Sequence, residues 1–307
     1  IAKVILYEGQ SAGVTWTNGF LAAAEVLFWI DEVTPSTDGA SFAEDLINDF
    51  VVPCTDMSFT RYYENYTVYP GSLDETKDAV ISAINSNQYG IMSQIGHGFF
   101  FDMSLGEGVF TVSDADALEN HEHPMLLFAL NCASAAFDYS CLMERLVLHP
   151  TGGTIASIGS SRAAFPYTSN NYQQEFFSLL LCEGVNTLGD TVELSRLPYL
   201  ADVNHPSFNR WTYMNYTLLG DPGLSIWTSD VIDMTVSLDS ALEVGNQTVT
   251  AYVESNLAPV PGATVTLSMG DDVYVNRITD VNGEVVFDIT LVEAGVASLS
   301  ARAPNKE

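Results

Sequence analysis

The sequence predicts an α/β domain with helices on both faces of its sheet, followed by an all-β sandwich. Three observations lead there. Short, continuous apolar runs recur through the first 227 residues, as expected of strands buried on both faces. Stretches with helical spacing separate them, and strand–helix–strand alternation is the mark of a mainly parallel sheet. After Trp227 the texture changes to short alternating strands divided by turn residues, as in an antiparallel sandwich.

Taken in order, 19–25, 91–96, 125–131 and 154–159 are the predicted buried strands, and 41–50, 74–85 and 172–182 the predicted helices. Asp74 is the expected N-cap of the second helix, with further acids in its first turn. Beyond Trp227, residues 234–238, 247–254, 263–269, 273–278, 284–290 and 296–301 read as strands. Pro261-Gly262, Gly270-Asp271-Asp272 and Asn282-Gly283 supply the turns between them. The expected domains are therefore 1–228 and 229–307.

Composition narrows the function. The 307 residues carry 39 acidic and 10 basic side chains, a net charge of −29. That field repels phosphate backbones and anionic bilayers, which makes nucleic acid and membrane surfaces poor partners. The acids are spread along the chain, which suits solubility in a salty medium. A hydrophobic fraction of 47% is enough for a sizeable core. No apolar stretch reaches the roughly 18 residues needed to cross a bilayer. The chain opens on Ile1 rather than Met and carries no signal peptide, so an upstream part is expected to have been removed or omitted. Cys54, Cys132, Cys141 and Cys182 are too few for a disulfide framework but leave room for one or two bridges. Cys141 and Cys182 fall in helical patterns and read as core, and Cys54 follows Pro53 in a predicted turn.

In open α/β sheets, ligands bind beyond the carboxyl ends of the strands. Three reactive residues stand at such ends: Glu25, His97 within Gly96-His97-Gly98, and Cys132 after Asn131. Singly, each has a plainer reading: a buried thiol, a loop histidine, a stray carboxylate. Together they suit nucleophilic catalysis. An imidazole turns the thiol into a thiolate and later protonates the leaving amine. A carboxylate on the other ring nitrogen would fix the tautomer. The flanking glycines would admit a substrate backbone, and the amides of Gly98 and Cys132 would form an oxyanion hole. Other features are weaker. His121-Glu122-His123 offers metal donors without a third ligand, so no metal site is predicted. Asp114 with Asp116, and Asp271 with Asp272, are acidic pairs without a complete calcium-loop motif. Asn65, Asn215 and Asn246 open glycosylation sequons.

These residues sit in segments that resemble the gingipain-like cysteine peptidases, family C25 of the caspase-like clan. Lys3-Val4-Ile5-Leu6-Tyr7-Glu8 followed by Trp16 is similar to the family's approach to its first catalytic strand. Ile95-Gly96-His97-Gly98 resembles its histidine block. Leu118-Glu119-Asn120, then a strand into Asn131-Cys132, then Phe137-Asp138, resembles its cysteine block. His97 and Cys132 lie 35 residues apart, close to the family spacing. Gly152-Gly153-Thr154-Ile155-Ala156 and Leu218-Leu219-Gly220-Asp221-Pro222 resemble two further signatures.

The resemblance implies a caspase-like sheet followed by an immunoglobulin-like sandwich, with the first catalytic subdomain absent from this chain. It implies Cys132 as nucleophile, His97 as general acid and base, and Glu25 as the carboxylate supporting the histidine. Ala40 stands where arginine-specific members place an S1 aspartate. Asp38 lies two residues away, positioned to reach a P1 guanidinium, and Phe165 would wall the pocket. The expected function is thus a secreted cysteine endopeptidase with a lean towards Arg or Lys at P1. The alternatives are an inactive binding or adhesion module and, more weakly, a Cys/His metal site. No cofactor is required, and calcium as a structural ion is implied by the family alone. Expected partners are protein or peptide substrates and the enzyme's own cleaved N-terminal fragment.

Overall fold

Strands hydrogen-bonded on both sides in a parallel sheet need apolar residues on both faces, and the first part of the chain supplies them. In this computed structural model, all residues are described except Ala12, Glu32, Val33, Asn186, Asp271, Asp272, Pro304, Lys306 and Glu307. The turn at Gly270-Asp271-Asp272 and the acidic pair Asp271 and Asp272 therefore lie outside the described residues. One sheet contains β1 (Gly19–Ala24), β2 (Ser58–Tyr63), β3 (Leu73–Asp74), β4 (Ile91–Ile95), β5 (Met125–Leu130), β6 (Thr154–Ser160) and β7 (Tyr216–Leu219), in the order β7-β6-β5-β4-β1-β2-β3. All neighbours are parallel except the edge strand β7. Every residue of β1, β4, β5 and β6 is buried.

Alternate side chains on these strands serve opposite faces. Leu21, Met92 and Leu127 join Val80 and Ile84, and Met143 and Leu146, in one core. On the opposite side Phe20 and Phe128 meet Phe177, with the rings of Phe176 and Tyr172 packed at a tilt beside Phe128. The helices that supply these residues are α3 (Lys77–Asn85), α4 (Leu142–Leu148) and α5 (Pro166–Phe177). They follow α1 (Ala2–Glu8) and α2 (Gly39–Leu46) in the chain.

Helix ends depart from the sequence reading for local reasons. Asp74 does not cap α3, because it ends β3; Thr76 adopts the extended cap conformation and accepts from Ala79 N at 3.3 Å. The predicted helix at 41–50 begins earlier, at Gly39, with Asp38 as cap, and widens into a π turn at Ile47–Val51 before Val52–Cys54. The one predicted at 172–182 starts at Pro166, where a missing N–H costs nothing, and ends in a π turn, Ser178–Cys182. Cys182 is not core. It is exposed and bridged to the equally exposed Cys54, joining these two turns. Cys141 is a free, buried thiol at the N-cap position of α4.

Two family-like fragments turn out to be one piece of scaffold. Asn120 is buried, donates to Gly153 O at 2.9 Å and accepts from Gly153 N at 2.8 Å. Gly153 takes φ +67° there, the region that favours glycine. Nearby, Lys3 Nζ closes the end of α4 by donating to the carbonyls of Val147 (2.7 Å), His149 (3.1 Å) and Gly152 (3.0 Å). Burial lowers the Lys3 pKa to about 8.

Contacts divide the described residues into two units, Ile1–Glu8 with Thr15–Ser229, and Gly9–Val14 with Asp230–Glu307. The second is an antiparallel sandwich. Thr235–Leu238, Ala258–Pro259 and Glu284–Leu291 pair with the long strand Gly245–Ser255 in one sheet. Val273–Ile278 and Ser298–Arg302 flank Thr264–Met269 in the other. Strict in–out alternation along Glu284–Leu291 sends Val285, Phe287, Ile289 and Leu291 into a core shared with Val249, Ala251, Val253, Val265 and Leu267. No helix among the described residues is long and apolar enough to cross a membrane.

Candidate active site

Register brings the three strand ends together. Ile95 of β4 is paired with Ala24 of β1 on one side and with Leu130 of β5 on the other. The next residues along are Glu25, Gly96-His97 and Asn131-Cys132. Backbone bonds carry the alignment past the strand ends: Glu25 N donates to Ile95 O at 2.9 Å, and Gly96 N to Leu130 O at 3.1 Å.

The imidazole of His97 is held by main chain. Its Nε2 lies 3.0 Å from the carbonyl oxygen of Leu27. A carbonyl only accepts, so Nε2 is the donor there and Nδ1 is the nitrogen not engaged by it. Phe28 meets the ring edge-on, with centroids 6.0 Å apart. Glu25 does not touch the ring, contrary to the sequence expectation. Its carboxylate is buried beneath the loop and accepts from the backbone N–H of His97 at 3.1 Å and from Ser104 Oγ. The chain turns at Glu25 into a hairpin, Val26–Trp29 against Pro35–Asp38, and this turn brings Leu27 O to the ring. Burial raises the Glu25 pKa, and those two hydrogen bonds act against the rise.

The flanking glycines make room for protein. A Cβ on Gly96 would come within 2.7 Å of both Glu25 Oε2 and Gln94 Nε2, and one on Gly98 within 2.8 Å of Asn131 Cγ. Gly98 and Phe99 pair with the strand Asp102–Ser104. In that ladder Ser104 N donates to His97 O, so by alternation the Gly98–Met103 pair is unbonded and Gly98 N–H points away from the ladder. A buried polar chain supports the loop: Asn131 Nδ2 donates to Gln94 Oε1 (2.8 Å), and Gln94 Nε2 to Ser104 O (3.1 Å). Gln94 and Ser104 were missed by the sequence reading. A polar residue inside an otherwise apolar strand was the available signal for Gln94.

Cys132 is partly exposed, and its Sγ accepts from Ala164 N at 3.3 Å. A donor on sulfur suits the thiolate. The next residue, Ala133, is held at φ +57°, which costs a non-glycine residue about 1 kcal/mol. Its N–H donates to Arg162 O at 2.8 Å. Such strain directly after a reactive side chain fits a functional turn. Between thiol and imidazole lies a cleft of about 40 Å³ bordered by Leu27, Phe28, Leu130, Ala164 and Pro166.

The predicted specificity residues lie elsewhere. Asp38 is the cap of α2 and accepts from Ala40 N (3.0 Å), Tyr69 OH (2.8 Å) and Asn65 Nδ2 (3.3 Å). Ala40 is fully buried. Phe165 lines a separate groove with Phe208 and Trp211. Outside the cleft, His121 Nδ1 pairs with Thr151 Oγ1 and His123 Nδ1 with His121 O. Asp114 completes a capping box with Thr111, and Asp116 forms an ion pair with Arg145. No cluster of three or more His, Cys, Asp or Glu among the described residues could hold a metal ion. Of the sequon asparagines, Asn215 is buried and bonded to Ala163 O, so the folded chain hides it.

A third carboxylate, Glu75, lies 1% exposed with neither oxygen partnered. The backbone N–H of Glu64, which offsets part of that burial, donates to Ala24 O at 3.0 Å. Burial first, then the charges of Glu25 and Glu64, push the Glu75 pKa well above 4.5. An acid raised in the folded state contributes fully below its unfolded pKa, and that contribution erodes as pH rises towards the folded value. Glu75→Gln should therefore match the parent in Tm at about pH 4.5 and exceed it by a growing margin towards neutral pH. A margin that is largest in acid would contradict this.

Comparison with known proteins gives three findings. The sequence pattern of peptidase family C25 matches residues 1–227. No curated protein matches the chain. Among solved structures, the Arg-specific cysteine proteinase gingipain R aligns with a TM-score of 0.79 at 20% identity, over 99% of this chain and 69% of that one. The complex of Porphyromonas gingivalis RgpB pro- and mature domains aligns with a TM-score of 0.76 at 20% identity, over 99% and 70%. A third, described only as a protease, gives 0.76 at 17% identity, over 99% and 69%.

Proposed function

The chain belongs to peptidase family C25 and is a cysteine peptidase, and from that premise we propose that it is an endopeptidase working through Cys132 and His97. The observation that carries the reading is the commitment of His97 Nε2 to Leu27 O, at a strand end in register with that of Cys132. It leaves Nδ1 to exchange protons. The thiol proton passes to Nδ1 as Sγ attacks the scissile carbonyl carbon. The oxyanion is received by the N–H groups of Gly98 and Cys132. Collapse breaks the C–N bond, the amine leaves with the proton from His97, and a thioester remains. Water, deprotonated by His97, then releases the acid product. Glu25 is a positioning residue in this scheme, acting through the His97 amide and Ser104.

For P1 we read a small, uncharged side chain rather than Arg or Lys. The cleft beside Cys132 is small, its border is mostly apolar, and no carboxylate lines it. A guanidinium there would be desolvated without a partner. Asp38, the candidate from the sequence, has one oxygen occupied as a helix cap and the other by Tyr69 OH. An extracellular setting is proposed from the exposed Cys54–Cys182 bridge, since such bonds persist in oxidising surroundings. The enzyme's own N-terminal fragment remains a proposed partner, on the likeness to the complex of pro- and mature domains.

Mapping the new termini made in an unfolded protein mixture tests both levels. Internal cuts after Gly, Ala or Ser, abolished by thiol alkylation, are expected. Cuts after Arg or Lys would reject the P1 reading. The absence of thiol-sensitive cuts would reject the endopeptidase.

A further inference from the structure

Beside the cleft lies a much larger groove. Two adjoining hollows of about 500 Å³ each share Pro206, Ser207 and Trp211, so they form one continuous depression. Its apolar surface comes from Phe165, Phe208, Trp211 and Met214, and the last three are 62%, 44% and 63% exposed. So much bare aromatic and thioether surface in one place marks a binding site. The wall is preformed: Trp211 Nε1 donates to Ala163 O at 2.6 Å and Asn215 Nδ2 to the same oxygen at 3.0 Å. Ala163 precedes the residue whose N–H meets Cys132 Sγ. The groove therefore begins one residue of backbone away from the sulfur contact.

Its charge is the reverse of the protein's. Of 7 arginines in a chain of net charge −29, Arg162 and Arg210 both line the groove, and none of its lining residues is acidic. Arg162 is already engaged, with both nitrogens on Asp138 at 3.0 Å. Arg210 has no ion pair among the described residues. A second copy of this chain, itself at −29, would be repelled on approach. An extended peptide advances about 3.3 Å per residue, so one seated at Cys132 with its N-terminal side towards Phe165 enters the groove within two to four residues.

We propose that this groove binds the substrate segment N-terminal to the scissile bond, that it favours apolar side chains there, and that Arg210 receives an Asp or Glu carboxylate at P2, P3 or P4. The inference rests on the endopeptidase reading for its substrate, but binding tests it separately. Labelled peptides carrying Asp, Ala or Lys in turn at P2, P3 and P4, around an apolar frame, are titrated against the Cys132→Ala protein by fluorescence anisotropy. At one of these positions the Asp peptide should bind about five- to tenfold more tightly than the Lys peptide. Adding Arg210→Glu should reverse that order, which a merely structural role for Arg210 would not do. Adding Trp211→Ala should weaken all the peptides. Equal binding of Asp and Lys peptides, or an order unchanged by Arg210→Glu, overturns the proposal. Binding as expected together with no cleavage of the same peptides by the parent protein would sustain the groove and sink the endopeptidase.

Discussion

Cys132→Ala is expected to lower kcat/KM for peptide hydrolysis by about 10⁴-fold or more, because it removes the proposed nucleophile and with it the covalent route. Stability should hardly change. The sulfur is partly exposed, and the one donor it accepts from, Ala164 N, borders the open cleft, where water can replace it. A Tm shift below about 3 °C would be in keeping with a change worth less than 1 kcal/mol in a domain of this size. The contrasting control is Cys141→Ala. Cys141 is the other free thiol among the described residues and is fully buried. Its loss should leave activity standing and lower stability by roughly 1 kcal/mol, as a small cavity does. Alkylation should likewise mark Cys132 and spare Cys141 in the folded protein. If Cys132→Ala retained turnover, the nucleophile would have to be sought elsewhere.

The second large effect concerns the Cys54–Cys182 bridge. Replacing both cysteines by alanine should destabilise the protein by about 3–5 kcal/mol. The two residues are 128 apart in sequence, so the bond forbids the unfolded chain a wide range of conformations. It also fastens the π turn and short helix after α2 to the π turn that ends α5. Against a typical total stability of about 5–15 kcal/mol, that is roughly a fifth or more of what keeps the domain folded. Urea unfolding of the parent with and without reductant, beside the double alanine variant, measures it. Both sulfurs are at the surface, so reduction needs no prior unfolding. A midpoint that reduction leaves in place would show the bond to be incidental.

Much of the fold was legible because its strongest determinant is local. Buried parallel strands are continuous apolar runs, and the residue following each run is at the sheet's carboxyl edge whatever the loops do. That is why Glu25, His97 and Cys132 could each be placed at the sheet's carboxyl edge from sequence, whereas only the order β5-β4-β1 makes them neighbours. What could not be read depends on main chain or on distant sequence. The partner of the His97 ring is the carbonyl of Leu27, and a carbonyl leaves no trace in the identity of its residue. A carboxylate at a strand end suggested itself for that role, whereas the turn at Glu25 sends its side chain under the loop. Asp74 and Thr76 are both good caps by type, and only the extent of β3 decides between them. Asp38 looks like a free acid until its helix is seen to begin at Gly39. The Cys54–Cys182 pairing, like the orphaned burial of Glu75, is settled by tertiary packing alone.

The disulfide closes a covalent ring in the chain, running from Cys54 to Cys182, and both His97 and Cys132 lie inside it. A protein-degrading enzyme lives among cutting enzymes, itself included. A single backbone cut anywhere within that ring opens it but releases nothing: histidine and cysteine stay on one connected molecule, held in register by the sheet. The nicked enzyme would run as one species until reduced. Cuts outside the ring have no such tie, and what lies beyond them is held by packing alone. The bond thus sorts damage by place, tying together the pieces of a nick made around His97 and Cys132 and lending nothing to one made beyond Cys182.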